Sequence, residues 1–159
     1  MRRFVFAAFA LTTVVGCQPT NTELTEEQET AITDTIFAIT DEALAAFSAL
    51  DVDRANAIYN RDVVYANTGA LPLTDWAAFE AQGRELYGSL QSASGTWGER
   101  HVRVLGHDAA VTTMAFSMSF TDTTGVQTDL EGAVTYVFAL LDEGWKIVQN
   151  HTSYLPLVR

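Results

Sequence analysis

The residues of this chain that could do chemistry gather near its C-terminal end. In "DEGWKIVQNHTS", Asp142 to Ser153, strand alternation predicts Trp145, Ile147, Gln149, His151 and Ser153 on one face. His151 is the candidate for general acid or base work, since free imidazole changes charge near neutral pH. The preceding segment offers two acidic residues of matching parity, Asp129 and Glu131. A buried carboxylate beside His151 would make an acid/base pair, so His151 and Glu131 form the candidate catalytic site. Each has a plainer role as well. Spacing fixes no second catalytic partner for His151, whose commoner part is a hydrogen bond across the sheet. Asp129 reads more readily as a solvated strand end.

A second group of residues points to ligand binding. Tyr65 and Trp76 flank a loop containing Gly69 and Pro72, and each offers an apolar surface with one polar atom. Such aromatics are more often core. Ser153, beyond His151 on the predicted face, marks where a cavity would open. Trp97, His101 and Arg103 alternate onto one face of another strand. His101 and His107 lack the context of a metal site, having no neighbouring cysteine and no helical His-x-x-x-His. No phosphate loop, dinucleotide fingerprint, nucleophile elbow or zinc motif occurs, so neither cofactor nor metal is expected.

The elements that must position these residues follow from the rest of the chain. With 159 residues, 48% of them hydrophobic, it suits one ordinary domain with a real core. The net charge of −11 argues against nucleic acid, whose phosphates demand a basic patch. The single cysteine allows no disulfide within the chain. "MRRFVFAAFALTTVVGC" has a basic start and an apolar run too short to span ~30 Å of hydrocarbon. Its end, Val14-Val15-Gly16-Cys17, resembles a bacterial lipobox, which implies cleavage before Cys17 and a lipid on its sulfur. The expectation is a signal peptide over residues 1–16, a lipidated tether over 17–24 and a domain over 25–157. The domain would face the periplasm from a membrane, the outer one because Gln18 stands where many such signals carry a retention aspartate.

Thr25 with Gln28 forms a capping-box pattern before Ile32, Ile36, Ile39, Ala43, Phe47 and Leu50, the apolar face of a long helix. Asp51 caps a short helix, Tyr59 to Asp62 reads as a turn, and Val63 to Ala66 as a first strand. Thr74 or Asp75 caps a third helix, which Gly83 weakens. From Ser94 the period becomes two, giving four long antiparallel strands; the one from Asp129 is apolar on both faces in its second half and should be central. Helices segregated from an antiparallel meander make an α+β fold. Met114, Phe116, Met118 and Phe120 form a stripe that is either core under the helices, the weightier reading, or an outward dimer face.

The segments "ALDVDRANAIYNRDVVYANTG", "GHDAAVTTMAFSMSF" and above all "DEGWKIVQNHTS" resemble the NTF2-like superfamily in its SnoaL-like and DUF4440-like branches. The resemblance spans about Thr25 to Leu155. It implies an NTF2-like (cystatin-like) cone, with N-terminal helices packed on a curved antiparallel sheet and a cavity at the wide end. It implies frequent homodimers through the sheet. Three roles stay open: a binder of a small organic molecule, a SnoaL-like isomerase or cyclase using a His-carboxylate pair, and a dimerisation or scaffold module.

Overall fold

Thr25 caps the first helix as the sequence predicts. In the computed structural model, which describes residues 23–67 and 70–155, its side chain accepts from the Gln28 backbone while Gln28 reaches back to the Thr25 N–H. That reciprocal cap satisfies two otherwise unpaired donors. It opens α1 (Glu26–Ser48), with Glu26, Glu27 and Glu29 in the first turn where the helix dipole favours them. α1 stops two residues before its expected end. Leu50 turns left-handed, at φ 53°, and Asp51 N–H returns to the Ala46 carbonyl. Asp51 then caps α2 (Val52–Asn56). The expected leader, Cys17 and most of the tether lie outside the described residues. No helix among the described residues is long and apolar enough to cross a membrane.

β1 (Tyr59–Asn67) starts earlier than expected: the predicted turn at Tyr59 to Asp62 is strand. It exists through a partner far along the chain, Tyr59 standing opposite Ile147 in a parallel pairing. α3 (Trp76–Gly88) follows from its Asp75 cap and passes through Gly83 unbroken. Then come β2 (Leu90–Val104), β3 (Ala109–Asp122), β4 (Gln127–Leu141) and β5 (Gly144–Tyr154). The sheet order is β1-β5-β4-β3-β2, with β4 in the middle as its two-sided apolar pattern predicts. Ile36 of α1 meets Met114, Phe138 and Ile147 on the inner face, all with no exposed surface. Met114, Phe116 and Met118 of the β3 stripe are therefore core, and Phe120 at its end is half-buried.

The sheet curves around the helices by inserting residues. Ile147 pairs with Phe138 but Gln149 pairs with Val137, so Val148 is an extra residue in β5. Trp97 pairs with Phe116 and Arg100 with Met114, so β2 also carries an extra residue between them. Each bulge bends its strand and reverses the in-out alternation beyond it. This corrects the predicted face of β2. Trp97 points inward, but beyond the bulge it is Arg100 and Val102 that continue that face, while His101 and Arg103 point outward. Arg100 lies under α1, with its guanidinium 4.5 Å from the Phe37 ring centre and 2.6 Å from Asp41.

Gly132 in β4 has no room for a side chain. A Cβ there would stand 2.2 Å from the Ser153 carbonyl oxygen and 2.7 Å from Phe116 Cζ. The gap lets Phe116 and Tyr154 meet edge to face across the strand, their centroids 6.0 Å apart. Gly132→Ala should cost about 3 kcal/mol or more, because backbone must move to admit the methyl. Urea melts check this: a loss under about 1 kcal/mol would mean that β4 and β5 part easily at this point.

Candidate functional site

The bulge at Val148 decides which part of β5 enters the interior. Before it, Ile147 is buried and Trp145 packs on the core. After it, Asn150 and Thr152 are buried while Gln149, His151 and Ser153 are exposed. The expected shared face of Trp145 and His151 is therefore corrected: Trp145 is inside and His151 is outside. His151 stands opposite Thr135 on the outer face of the sheet. Glu131 is on that outer face too, opposite Ser117 and exposed. Glu131 and Thr135 are four positions apart on β4, about 13 Å of strand. The structure does not bring His151 and Glu131 together. Asp129 is also exposed, and hydrogen bonds from Ser119 and Gln127 hold its carboxylate below the usual range. His101 sits 3.0 Å from Glu99 at the surface, and His107 is exposed in the hairpin.

The inner face beyond the bulge borders a cavity of about 340 Å³ between the sheet and the three helices. Its floor is built from cross-strand rows. Tyr65, Asn150 and Tyr136 stand side by side on β1, β5 and β4, and Asn67, Thr152 and Val134 form the next row. Helix α1 supplies Phe47 to the roof, α2 supplies Asn56, and α3 supplies Phe79 and Tyr87. Phe79 packs on both Tyr59 and Tyr65, with centroids 5.0 and 5.1 Å away, and Tyr87 meets Phe47 edge on at 6.0 Å.

All five tyrosines of the chain line this one space: Tyr59, Tyr65, Tyr87, Tyr136 and Tyr154. Three asparagines, Gln82 and Thr152 add polar atoms, and among the described residues no Asp, Glu, Lys, Arg or His is in the wall. The polar atoms are wired together. The Thr152 hydroxyl donates to Asn150 Oδ1 at 3.0 Å, and Asn150 Nδ2 donates to the Tyr59 oxygen at 3.0 Å. The Tyr59 and Tyr136 hydroxyls are near enough to influence each other's ionisation. Asn67 Nδ2 donates to the Tyr65 oxygen at 2.8 Å. Burial raises every one of these phenols: Tyr65 and Tyr87 to about 12, Tyr59 and Tyr136 further, and Tyr154 above its ordinary value. At neutral pH the wall is thus uncharged and offers O–H and N–H donors with amide and phenol acceptors.

Of the residues expected to bind a ligand, Tyr65 lines the cavity. Trp76 does not; it stacks behind Phe79 at 5.4 Å and helps form a surface depression beside Lys146. Ser153 lies outside, with its hydroxyl 3.4 Å from the Ala133 carbonyl. Sequence reasoning missed Tyr59, Tyr87, Tyr136, Asn56 and Asn67, and on β5 it missed Asn150, Thr152 and Tyr154, one step out of phase with His151 and Ser153. The signal of the three β5 residues is a polar-aromatic set at alternate positions on the opposite parity of the same strand.

A family model for the SnoaL-like domain matches residues 36–157. The chain belongs to the SnoaL-like family. Solved structures agree on its NTF2-like fold. An NTF2-like superfamily protein from Salmonella enterica serovar Typhimurium superposes with a TM-score of 0.73 at 14% identity, covering 82% of this chain and 96% of that one. A scytalone dehydratase candidate from Novosphingobium aromaticivorans gives 0.77 at 10% identity, over 83% and 89%. A ketosteroid isomerase-like protein from Erwinia carotovora atroseptica gives 0.66 at 20% identity, over 77% and 95%. At these identities the likeness establishes the fold of this SnoaL-like domain and nothing finer. No curated protein sequence matches it.

Proposed function

We propose that this SnoaL-like domain binds a neutral, largely apolar small molecule in the cavity between sheet and helices. The observation that carries this reading is the wall: five tyrosines, amides and hydrocarbon, with no Asp, Glu, Lys, Arg or His among the described residues that line it. A volume of about 340 Å³ suits a ligand of one or two rings. An isomerase or cyclase acting through a His-carboxylate pair needs that pair in contact with substrate, and His151 and Glu131 both stand on the far side of the sheet. Proton abstraction would fall to a phenol, whose raised pKa makes it a poor base at neutral pH. On the lipobox pattern alone, we also read the domain as held at a membrane surface by lipid on Cys17.

Trp97 lines the cavity, so its fluorescence reports occupancy. A naphthol should quench it with an affinity constant between about pH 5 and 8, where histidine is the ordinary side chain that changes charge. Naphthoate should bind at least about tenfold more weakly, because its charge would meet no cation in the wall. The quenching should disappear in Trp97→Phe. A pH-dependent affinity with a midpoint near that of histidine, or equal binding of the two probes, would overturn the reading.

A further inference from the structure

The cavity wall changes character across the sheet. At one side β1 and β5 contribute Tyr59, Tyr65, Asn67, Asn150, Thr152 and Tyr154, each with an oxygen or nitrogen on its side chain. At the other side β3 and β2 contribute Phe116, Met118 and Trp97, and β4 stands between with Tyr136 and Val134. Helix α1 extends the apolar side into the roof with Ala43, Leu44 and Phe47. Among those residues of β2, β3 and α1, the only side-chain nitrogen or oxygen is Trp97 Nε1, and it is engaged within the protein, donating to the Thr40 carbonyl at 3.2 Å. A Cβ on Gly95 would stand 2.7 Å from Leu44 Cδ1 and 3.3 Å from Met118 Cγ, so the bare glycine lets both side chains pack down at this end. The opposite side keeps hydrogen-bonding capacity. The Tyr65 oxygen receives the Asn67 amide at 2.8 Å and still has its own proton to give. The Tyr87 hydroxyl makes no hydrogen bond among the described residues; its ring lies edge on to Phe47, and its phenol is within electrostatic reach of Tyr65. Both tyrosines line the cavity and neither is fully buried.

We propose that the cavity takes an amphipathic neutral ligand in one direction, with a single hydroxyl or carbonyl against Tyr65 and Tyr87 and hydrocarbon against Phe116, Met118 and Trp97 beneath α1. A ligand without a polar group forgoes the hydrogen bond at one end. A ligand polar at both ends buries its second group among atoms that offer it no partner, and that costs more than a made hydrogen bond contributes. This assignment rests on the cavity-binding reading and adds to it which end of the ligand lies where.

Calorimetric titration with naphthalene, a naphthalenemethanol and a naphthalenedimethanol with its two groups at opposite ends tests the direction. The mono-alcohol should bind about tenfold more tightly than naphthalene, the net contribution of one neutral hydrogen bond being roughly that factor. The diol should bind at least about tenfold more weakly than the mono-alcohol, since its second hydroxyl is buried unpaired. Tyr65→Phe combined with Tyr87→Phe keeps both rings and should bring the mono-alcohol down to the affinity of naphthalene. Met118→Gln places an amide at the hydrocarbon end. It should remove most of the penalty on the diol and leave the preference for the mono-alcohol over naphthalene intact. A diol that binds the unaltered protein as tightly as the mono-alcohol overturns the proposed direction alone. So does an alcohol preference that survives in the double phenylalanine variant, or a diol penalty that survives Met118→Gln. Binding of none of the three probes overturns the cavity-binding reading itself.

Discussion

Deleting Val148 should abolish cooperative folding of this domain. The residue is the insertion that lets Ile147 and Asn150 both face inward, although they are three positions apart. Without it, β5 must keep one half in phase and turn the other over. If the first half keeps its place, Asn150, Thr152 and Tyr154 turn outward and Gln149, His151 and Ser153 turn into the cavity. The Thr152–Asn150–Tyr59 chain of hydrogen bonds is then lost and its buried partners are left unpaired. If the second half keeps its place, Ile147 and Trp145 turn outward and Lys146 turns toward the core. Exposing two such side chains costs roughly 1.5–3 kcal/mol each, before the burial of an ammonium is counted. Either loss is comparable with the ~5–15 kcal/mol that holds an average domain together. Thermal melts of the deletion should be broad, with near-ultraviolet dichroism lost. Val148→Ala keeps the insertion and should melt cooperatively. A deletion variant melting sharply within a few degrees of the parent would refute the assignment of faces in β5.

Raising the pH above about 10 should unfold the domain in one steep step. In the unfolded chain each tyrosine ionises near 10. In the folded domain Tyr65 and Tyr87 wait until about 12, and Tyr59 and Tyr136 are held higher still, because burial disfavours the phenolate. The folded form therefore holds more protons than the unfolded form over that interval. Stability is full below the unfolded value and falls as pH rises toward the folded ones. Tyr59, Tyr65 and Tyr136, the three most enclosed, alone give a slope approaching about 4 kcal/mol per pH unit once the unfolded chain is ionised. A domain of ordinary stability is exhausted before the folded phenols reach their own range. Tyrosinate absorbance and far-ultraviolet dichroism should then change together, and Tyr136→Phe should flatten the transition. Tyrosines that ionise gradually near 10 while dichroism stays native would show a cavity open to water.

Much of the architecture was legible because it rests on local physics. The capping box at Thr25 and Gln28, the Asp51 and Asp75 caps and the hairpin turns depend on residues a few positions apart. So does the apolar stripe from Ile32 to Phe47. The central place of β4 was readable from hydrocarbon on both its faces. Tyr59 to Asp62 was not readable as strand, since its partner is Ile147, nearly ninety residues on. Tyr65 was legible as a candidate from its aromatic type and its place beside the loop, and the pairing of β1 with β5 is regular from Val64 to Asn67.

The sequence by itself determined the fold class, the order of elements and the residue types available to the site. It also determined that His151 and Asn150 point to opposite faces of one strand. Only the tertiary structure decided which of the two is inside. A bulge is set by the curvature a sheet needs to wrap around its helices, and curvature is a property of all five strands at once. One unpaired residue, Val148, leaves no local mark, yet it exchanges every side chain after it. It turned a face expected to carry a histidine and a serine toward solvent. In their place it set an asparagine, a threonine and a tyrosine among four more tyrosines, so the cavity wall carries neutral hydrogen-bonding groups where a histidine was expected.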